Sequence, residues 1–305
     1  MGKYLSIDAG GTFIKYAWMS KDGELIRQGK EKTPLTNKED FLEQIKKIWE
    51  VEKGEKIGIC MSLPGTIDSS IGYIFQGGSL TYHNNLNIKE WYEQEFKVKV
   101  EIENDARCAA IAELAVGNMK GIKDGVVLTF GTGVGGCLII DHKIHIGQHL
   151  FSGEVSILIS ENYKNEGYQN FFGQKCGVGH LIKKICLSKN VELVNGERVF
   201  EWILNNDEIA IKHFQRFCDD IAVQLFNLQI ILDPSRICLG GGVSENPVFI
   251  QGVKNSLDML YDSMPVSIPR LDVVACKFNN EANLIGAFYN FKNQNIKSKD
   301  QLNYI

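Results

Sequence analysis

The chain has 305 residues, 44% of them hydrophobic and 23% charged, a globular composition that excludes a disordered or fibrous protein. Its 33 Lys and Arg against 37 Asp and Glu leave a net charge of −4, the wrong balance for a protein that coats nucleic acid. No apolar run reaches the roughly 18 residues of a membrane span, and the start, Met1 to Asp8, has no signal-peptide hydrophobic region. Met1-Gly2 with Ser6 loosely fits a myristoylation pattern, but the segment reads better as a first buried strand, and a soluble cytoplasmic protein is expected. The length suits about two domains. Eight scattered cysteines with no Cys-x-x-Cys pair read as buried free thiols rather than a disulfide framework.

In chain order, residues 4–8 read as a strand and 13–19 as a second, after a Gly-Gly turn. A third, residues 24–29, follows the Asp22-Gly23 hairpin signal. Phe41, Ile45, Ile48 and Trp49 recur at helical spacing and predict a helix over 39–52. Residues 57–62 form a short apolar run ending in Pro64-Gly65, and 97–103 alternates Val98, Val100 and Ile102 as a half-buried strand. The alanine-rich 105–116 reads as a helix. The second half repeats the theme, with a strand over 125–130, a turn over 131–136 and a strand over 137–141. A long helix over 207–232 carries Phe214, Phe217, Ile221, Leu225, Leu228 and Leu232 on one face and stops at Asp233-Pro234. Residues 236–239 form a strand feeding Gly240-Gly241-Gly242. Phe249, Val253, Leu257 and Leu260 mark a further helix, and a last one runs from about 281 to 292. The polar tail after Asn293 is expected to fray. Mixed strands and helices of this length predict an α/β fold with sheets covered by helices.

Two strand-turn-strand elements carry the chemistry. In Ile7-Asp8-Ala9-Gly10-Gly11-Thr12-Phe13-Ile14-Lys15 and in Phe130-Gly131-Thr132-Gly133-Val134-Gly135-Gly136 a buried strand runs into glycines and a threonine, then returns. Glycine lets backbone N–H groups approach phosphate oxygens unobstructed. The threonine hydroxyl can add a hydrogen bond, and Asp8 could hold Mg²⁺ directly or through water. Two plain β-hairpins are the alternative. Gly131-x-Gly133-x-x-Gly136 also matches the dinucleotide fingerprint, but a strand rather than a helix follows it, so that reading fails. There is no P-loop. Gly240-Gly241-Gly242 fits close approach of a nucleotide base or ribose, and equally a tight turn.

Glu103-Asn104-Asp105 falls where a strand gives way to a helix. Asn and Asp are ordinary helix-start residues; as functional residues, Asp105 would accept a proton from a substrate hydroxyl while Asn104 positions that substrate. Phosphoryl transfer needs positioning, charge neutralisation and one such base. His142, His145 and His149 invite a metal site. Their surroundings read as strand and turn, without a cysteine or carboxylate at zinc-ligand spacing, so a metal there is not the expected outcome.

The ordered set of motifs resembles the ROK family (repressor, open reading frame, kinase) of sugar kinases, within the actin-like ATPase-domain superfamily. The resemblance runs from Tyr4 to about Phe291. The loop from Ile7 to Lys15 is similar to the family's first phosphate loop, Ser62-Leu63-Pro64-Gly65 to its sugar-pocket turn, and Gly131 to Gly136 to its second phosphate loop. Glu103-Asn104-Asp105-Ala106 is like the segment carrying the catalytic base, which places that role on Asp105 and sugar contact on Asn104. Gly153-Glu154 matches the sugar-binding glutamate, and Gly240-Gly241-Gly242-Val243-Ser244 the adenosine motif. The resemblance implies a two-domain α/β fold with mixed sheets and an interdomain active-site cleft. Its smaller domain would be 1–117, completed by the C-terminal helix over 281–305, and its larger domain 118–280. ATP and Mg²⁺ are the implied cofactors, held by Asp8, Gly10, Gly11, Thr12, Lys15, Gly131, Thr132, Gly133, Gly241 and Gly242. A sugar is the implied substrate, met by Gly65, Gly78, Asn104, Asp105 and Glu154. A homodimer is the expected assembly, with no nucleic acid and no membrane partner.

Two departures matter. Many members continue the glutamate motif as Gly-Glu-x-Gly-His, whereas Ile157 stands here in place of the histidine. The family's zinc motif is missing too: Lys175-Cys176-Gly177-Val178-Gly179-His180 offers one cysteine, so no structural zinc is expected. Members without that motif include bacterial β-glucoside kinases, and the stretch from Gly77-Gly78 to Trp91 looks most like theirs. An isoleucine in place of an imidazole would accept an apolar or bulky sugar substituent. Expected, then, is phosphorylation of the 6-OH of a β-glucoside or hexose. The alternatives are an N-acetylmannosamine kinase, a glucokinase or a non-catalytic sugar sensor. Family repressors carry a DNA-binding segment ahead of the first phosphate loop, and none is expected before Ile7.

Overall fold

A computed structural model describes residues 2–159, 164 and 167–302. Its contacts divide the chain into two compact units, one of 1–116, 147–151 and 281–305, the other of 117–146 and 152–280. Both are built around a five-stranded mixed sheet.

In the first unit β1 (Lys3–Ala9), β2 (Phe13–Met19) and β3 (Leu25–Lys32) form an antiparallel meander, and β4 (Lys56–Leu63) and β8 (Lys99–Asn104) extend it in parallel in the order β3-β2-β1-β4-β8. The β2–β3 turn rests on Gly23 at φ +88°, a conformation open to glycine at little cost. A small sheet of β5 (Thr66–Asp68), β6 (Tyr73–Gln76) and β7 (Leu86–Asn87) sits beyond β4, unmarked in the sequence reading because such short strands carry no periodicity. Side chains alternate across the sheet. Leu5, Ile7, Ile59, Met61 and Ile102 pack under α1 (Lys38–Glu50) and α2 (Ile88–Phe96), with Phe41, Ile45 and Tyr92. Cys60, Ala17 and Met19 meet α3 (Asp105–Val116) and the C-terminal helix Ala282–Leu302 on the opposite face, with Cys108, Leu284 and Phe288. At that crossing a Cβ on Gly286 would lie 1.8 Å from the Cys108 carbonyl oxygen, so only glycine permits the approach. The C-terminal helix runs to Leu302, past the fraying expected after Asn293; its polar end contains neither Gly nor Pro to break it.

The second unit repeats the topology. Here β9 (Gly125–Phe130), β10 (Val134–Ile140) and β11 (Lys143–His145) are antiparallel, and β12 (Arg236–Gly240) and β13 (Val273–Ala275) join in parallel in the order β11-β10-β9-β12-β13. The strand expected from 137 starts at Val134, because the glycines of 135–136 pair with β9 instead of turning. Helix Glu208–Leu232 buries Phe214, Phe217, Ile221, Leu225 and Leu228 against Val126, Leu128, Ile237 and Leu239. Asp207 caps its start by accepting from the Ala210 amide at 3.0 Å. Its end is Asp233, at φ +47°, followed by Pro234. All eight cysteines are buried. No helix among the described residues is long and apolar enough to cross a membrane.

Candidate functional site

In the first unit, strand register sets Lys15, Asp8, Ser62 and Glu103 in one row across β2, β1, β4 and β8. Residues so paired share a face. Asp8 Oδ1 accepts from Asn283 Nδ2 at 3.0 Å and from Ser62 Oγ at 3.3 Å, while the Lys15 ammonium stands 4.0 Å from Oδ2. Burial pushes the Asp8 carboxyl above its ordinary value, and Asn283, Lys15 and Ser62 pull against that rise.

The β1–β2 turn carries Gly10, Gly11 and Thr12. Gly10 N donates to Phe13 O at 3.0 Å, and Thr33 holds the loop from outside, its hydroxyl donating to Gly10 O at 2.7 Å and its amide to Thr12 O at 3.1 Å. A Cβ on Gly11 would lie 2.9 Å from that of Ser79, which brings this loop against the residue after Gly78. Gly78, at φ +56°, is itself set against Gly65, whose amide nitrogen lies 3.2 Å from where a Gly78 Cβ would be. Gly65, at φ +104°, would place a Cβ 1.9 Å from Gln76 O. The Gly65 carbonyl in turn accepts from Asn104 Nδ2 at 3.0 Å. Gly11, Ser79, Gly78, Gly65, Asn104 and Asp105 thus form one contiguous line.

Asp105 opens α3, with Oδ1 accepting from the Ala106 amide at 2.8 Å; a helix start favours a carboxylate there. Asn104 Oδ1 accepts from the Arg107 amide at 3.1 Å. Behind them lies a buried ion pair, Arg107 Nη1 to Glu103 Oε1 at 3.3 Å. Burial pushes the Glu103 carboxyl up, with Arg107 the main opposing influence. The Cys108 thiol is raised well above its ordinary range, by burial first and then by Glu103, with Asp8 and Asp105 adding to it.

In the second unit Gly131, Thr132 and Gly242 line one cavity of about 770 Å³, together with Phe130, Val178, Phe200 and Pro247. Gly241, at φ +88°, passes so close to β9 that a Cβ would lie 2.1 Å from Phe130 O. Gly133 closes the β9–β10 turn by accepting from Gly131 N at 2.9 Å. Gly153, at φ +88°, is pressed on β10: a Cβ there would lie 2.9 Å from Gly136 O. Gly136 thereby lets the Gly153-Glu154 backbone lie close against β10. Ile157 follows in a short 3-10 turn, 49% exposed.

Several participants were not evident in the sequence. Thr33, Ser79 and Asn283 come from segments remote from the motifs they support, and Arg107, next to its motif, reaches partners 40 and 43 residues away. Ile182, Asn195, Glu197, Glu245 and Asn246 complete the cavity wall; Asn246-Pro247, a helix-start signal, was the available clue. Of the three histidines, His142 occupies a turn at φ +60° with Nδ1 3.1 Å from Ile122 O, His145 lies on β11, and His149 falls in the 147–151 stretch of the first unit. Among the described residues no three His, Cys, Asp or Glu come together as a metal site. Cys176 belongs to the second unit's apolar core.

Comparison with known proteins gives the family. The chain is similar to a β-glucoside kinase of Listeria monocytogenes, 28% identical over 95% of this chain and 97% of that one. It is also similar to a solved ROK family protein of Streptococcus pneumoniae in complex with sucrose, 27% identical with a TM-score of 0.88 over 97% of this chain and 99% of that one. A ROK glucokinase of Streptomyces griseus solved with glucose and AMPPNP shares the fold, 22% identical with a TM-score of 0.81 over 94% and 98% of the two chains. The ROK profile itself matches residues 4–294, the span that holds both glycine hairpins, the Glu103 to Asp105 segment and the Gly241 turn, and the chain therefore belongs to the ROK family, with its actin-like ATPase fold.

Proposed function

We propose that this protein is an ATP- and Mg²⁺-dependent sugar kinase acting on a hexose hydroxyl, the 6-OH of a β-glucoside above all. The observation that carries the reading is the line from Gly11 through Ser79, Gly78 and Gly65 to Asn104 and Asp105. It joins a loop suited to phosphate oxygens to a carboxylate suited to taking a proton. In the reaction the sugar O–H gives its proton to Asp105 as its oxygen bonds to the γ-phosphorus; the bond to the β-phosphate oxygen breaks and ADP departs. Asn104, Gly65, Gly78 and Glu154 position the sugar, and Gly10, Gly11, Thr12, Gly131, Thr132 and Gly133 meet the phosphates. Lys15 adds positive charge, and the adenosine lies by Gly241 and Gly242.

A largely buried carboxylate beside a phosphate loop suits Mg²⁺, which takes one or two carboxylates plus substrate phosphates and keeps its waters. Asp8 would hold it, directly or through water, and when bound the ion neutralises phosphate charge. The half-exposed Ile157 favours the glucoside over a free hexose, because an apolar side chain offers an aglycone contact and a hydroxyl none. The Listeria monocytogenes relative, a β-glucoside kinase, supports the same choice.

The test is a coupled ADP-release assay over hexoses and β-glucosides. Turnover of β-glucosides is expected. Turnover of free hexoses or N-acetylmannosamine alone would move the assignment to glucokinase or N-acetylmannosamine kinase, and sugar binding without turnover would make the protein a sensor.

A further inference from the structure

Arg107 is 4% exposed, and so is Glu103. The planar guanidinium spends its donors on three separate pieces of chain. Nη1 donates to Glu103 Oε1 at 3.3 Å and to the Ile67 carbonyl on β5 at 3.1 Å, and Nη2 donates to the Leu150 carbonyl at 2.7 Å. Glu103 Oε1 also accepts from the Asn104 amide at 2.8 Å, and Asn104 Oδ1 accepts from the Arg107 amide at 3.1 Å. The ring Glu103–Asn104–Arg107 is closed, with Asp105 inside it. Leu150 sits at φ +62°, a conformation that a non-glycine residue keeps only where its surroundings fix it. It belongs to 147–151, the short stretch that leaves the second unit's sequence to pack in the first.

A burial this complete is costly. Two ions removed from water gain little net stability over apolar residues of similar volume. The pair is placed where it fixes geometry, at the start of the helix that carries Asp105. We infer that Arg107 is a positioning residue for phosphoryl transfer: through Glu103 it sets the Asn104-Asp105 turn, and through Leu150 it holds the 147–151 segment against the same turn. The inference rests on the kinase reading, since it concerns the orientation of the proposed base.

Arg107→Lys and Arg107→Met, alone and with Glu103→Gln, separate this role from plain stability. Lysine keeps the charge opposite Glu103 but lacks the fork that reaches both carbonyls. Arg107→Lys is expected to hold its melting temperature within a few degrees of the parent while kcat falls about 10- to 100-fold, the scale of a misplaced reacting group. KM for ATP should stay put. Glu103→Gln/Arg107→Met removes both charges and should recover melting temperature relative to Arg107→Met without recovering kcat. Limited chymotrypsin digestion, which needs no activity, should cut faster after Leu150 and Phe151 in both Arg107 variants. Arg107→Lys with parental kcat, or a double variant that regains kcat with stability, overturns the inference. So does unchanged digestion at Leu150 and Phe151. A parent that phosphorylates no sugar fails the kinase reading instead, and the digestion result still decides whether Arg107 clamps the segment.

Discussion

Asn283, near the start of the C-terminal helix, donates from Nδ2 to Asp8 Oδ1 at 3.0 Å. The carboxylate one residue before the end of the first strand is therefore held by an amide from the far end of the chain. Burial raises the Asp8 carboxyl, and the Asn283 hydrogen bond is the foremost influence lowering it. Asn283→Leu removes that support, so Asp8 should protonate at higher pH. If Asp8 must be ionised to hold Mg²⁺, the acid limb of the kcat/KM profile moves toward neutrality in the variant. A limb that stays in place removes Asp8 ionisation from the rate.

The same burial predicts a trade between stability and function. A carboxyl raised on folding binds its proton more tightly in the folded state, so its favourable contribution is complete below the ordinary value of 3.8 and is lost as pH rises through the folded value. At pH 7 the charged group is thus a liability. Asp8→Asn should melt at a higher temperature than the parent at pH 7, with the gain vanishing below pH 3.8, while activity is lost. Thermal melts across pH, with Mg²⁺ omitted, check the sign.

Asp105→Asn should leave nucleotide binding nearly intact and lower kcat by about 10²–10⁴-fold, the usual worth of a general base. Titration with a non-hydrolysable ATP analogue, beside steady-state kinetics, separates the two effects. Equal turnover in variant and parent would take Asp105 out of the mechanism.

Glu154→Ala and Ile157→His should differ in kind. Loss of the Glu154 carboxylate removes a charged hydrogen-bond partner and should cost every sugar roughly 1.5–3 kcal/mol, or about 10- to 150-fold in kcat/KM. The Ile157→His ring sets a polar group where an aglycone is expected, which favours free hexoses over β-glucosides. The ratio of kcat/KM for a hexose and its β-glucoside, in parent and variant, is the measurement. An unchanged ratio removes Ile157 from selectivity.

Gly241→Ala tests the nucleotide wall. At φ +88°, with its Cβ 2.1 Å from Phe130 O, the added methyl must displace the strand that leads into Gly131. Such overpacking costs typically about 1–3 kcal/mol, so the melting temperature should fall. KM for ATP should rise while KM for the sugar holds. A rise in sugar KM alone would place the nucleotide elsewhere.

Local chemistry made much of this legible from the amino-acid sequence. The two glycine hairpins, the Asp22-Gly23 turn, the long helix stopped at Asp233-Pro234, and the helix start at Asp105 each depend on residues a few positions apart, where backbone sterics and hydrophobic period act directly. The order of those motifs carried the family. Other features depended on tertiary structure, because they arise from contacts between residues with no sequence relationship: Asn283 on Asp8, Thr33 behind the Gly10 carbonyl, Gly136 against Gly153 ahead of Glu154, and Arg107 reaching Ile67 and Leu150. A hydrogen bond or a close backbone approach across tens or hundreds of residues leaves no periodicity in the chain. Its partners are chosen by where the sheets and helices set their side chains, which only the folded packing determines.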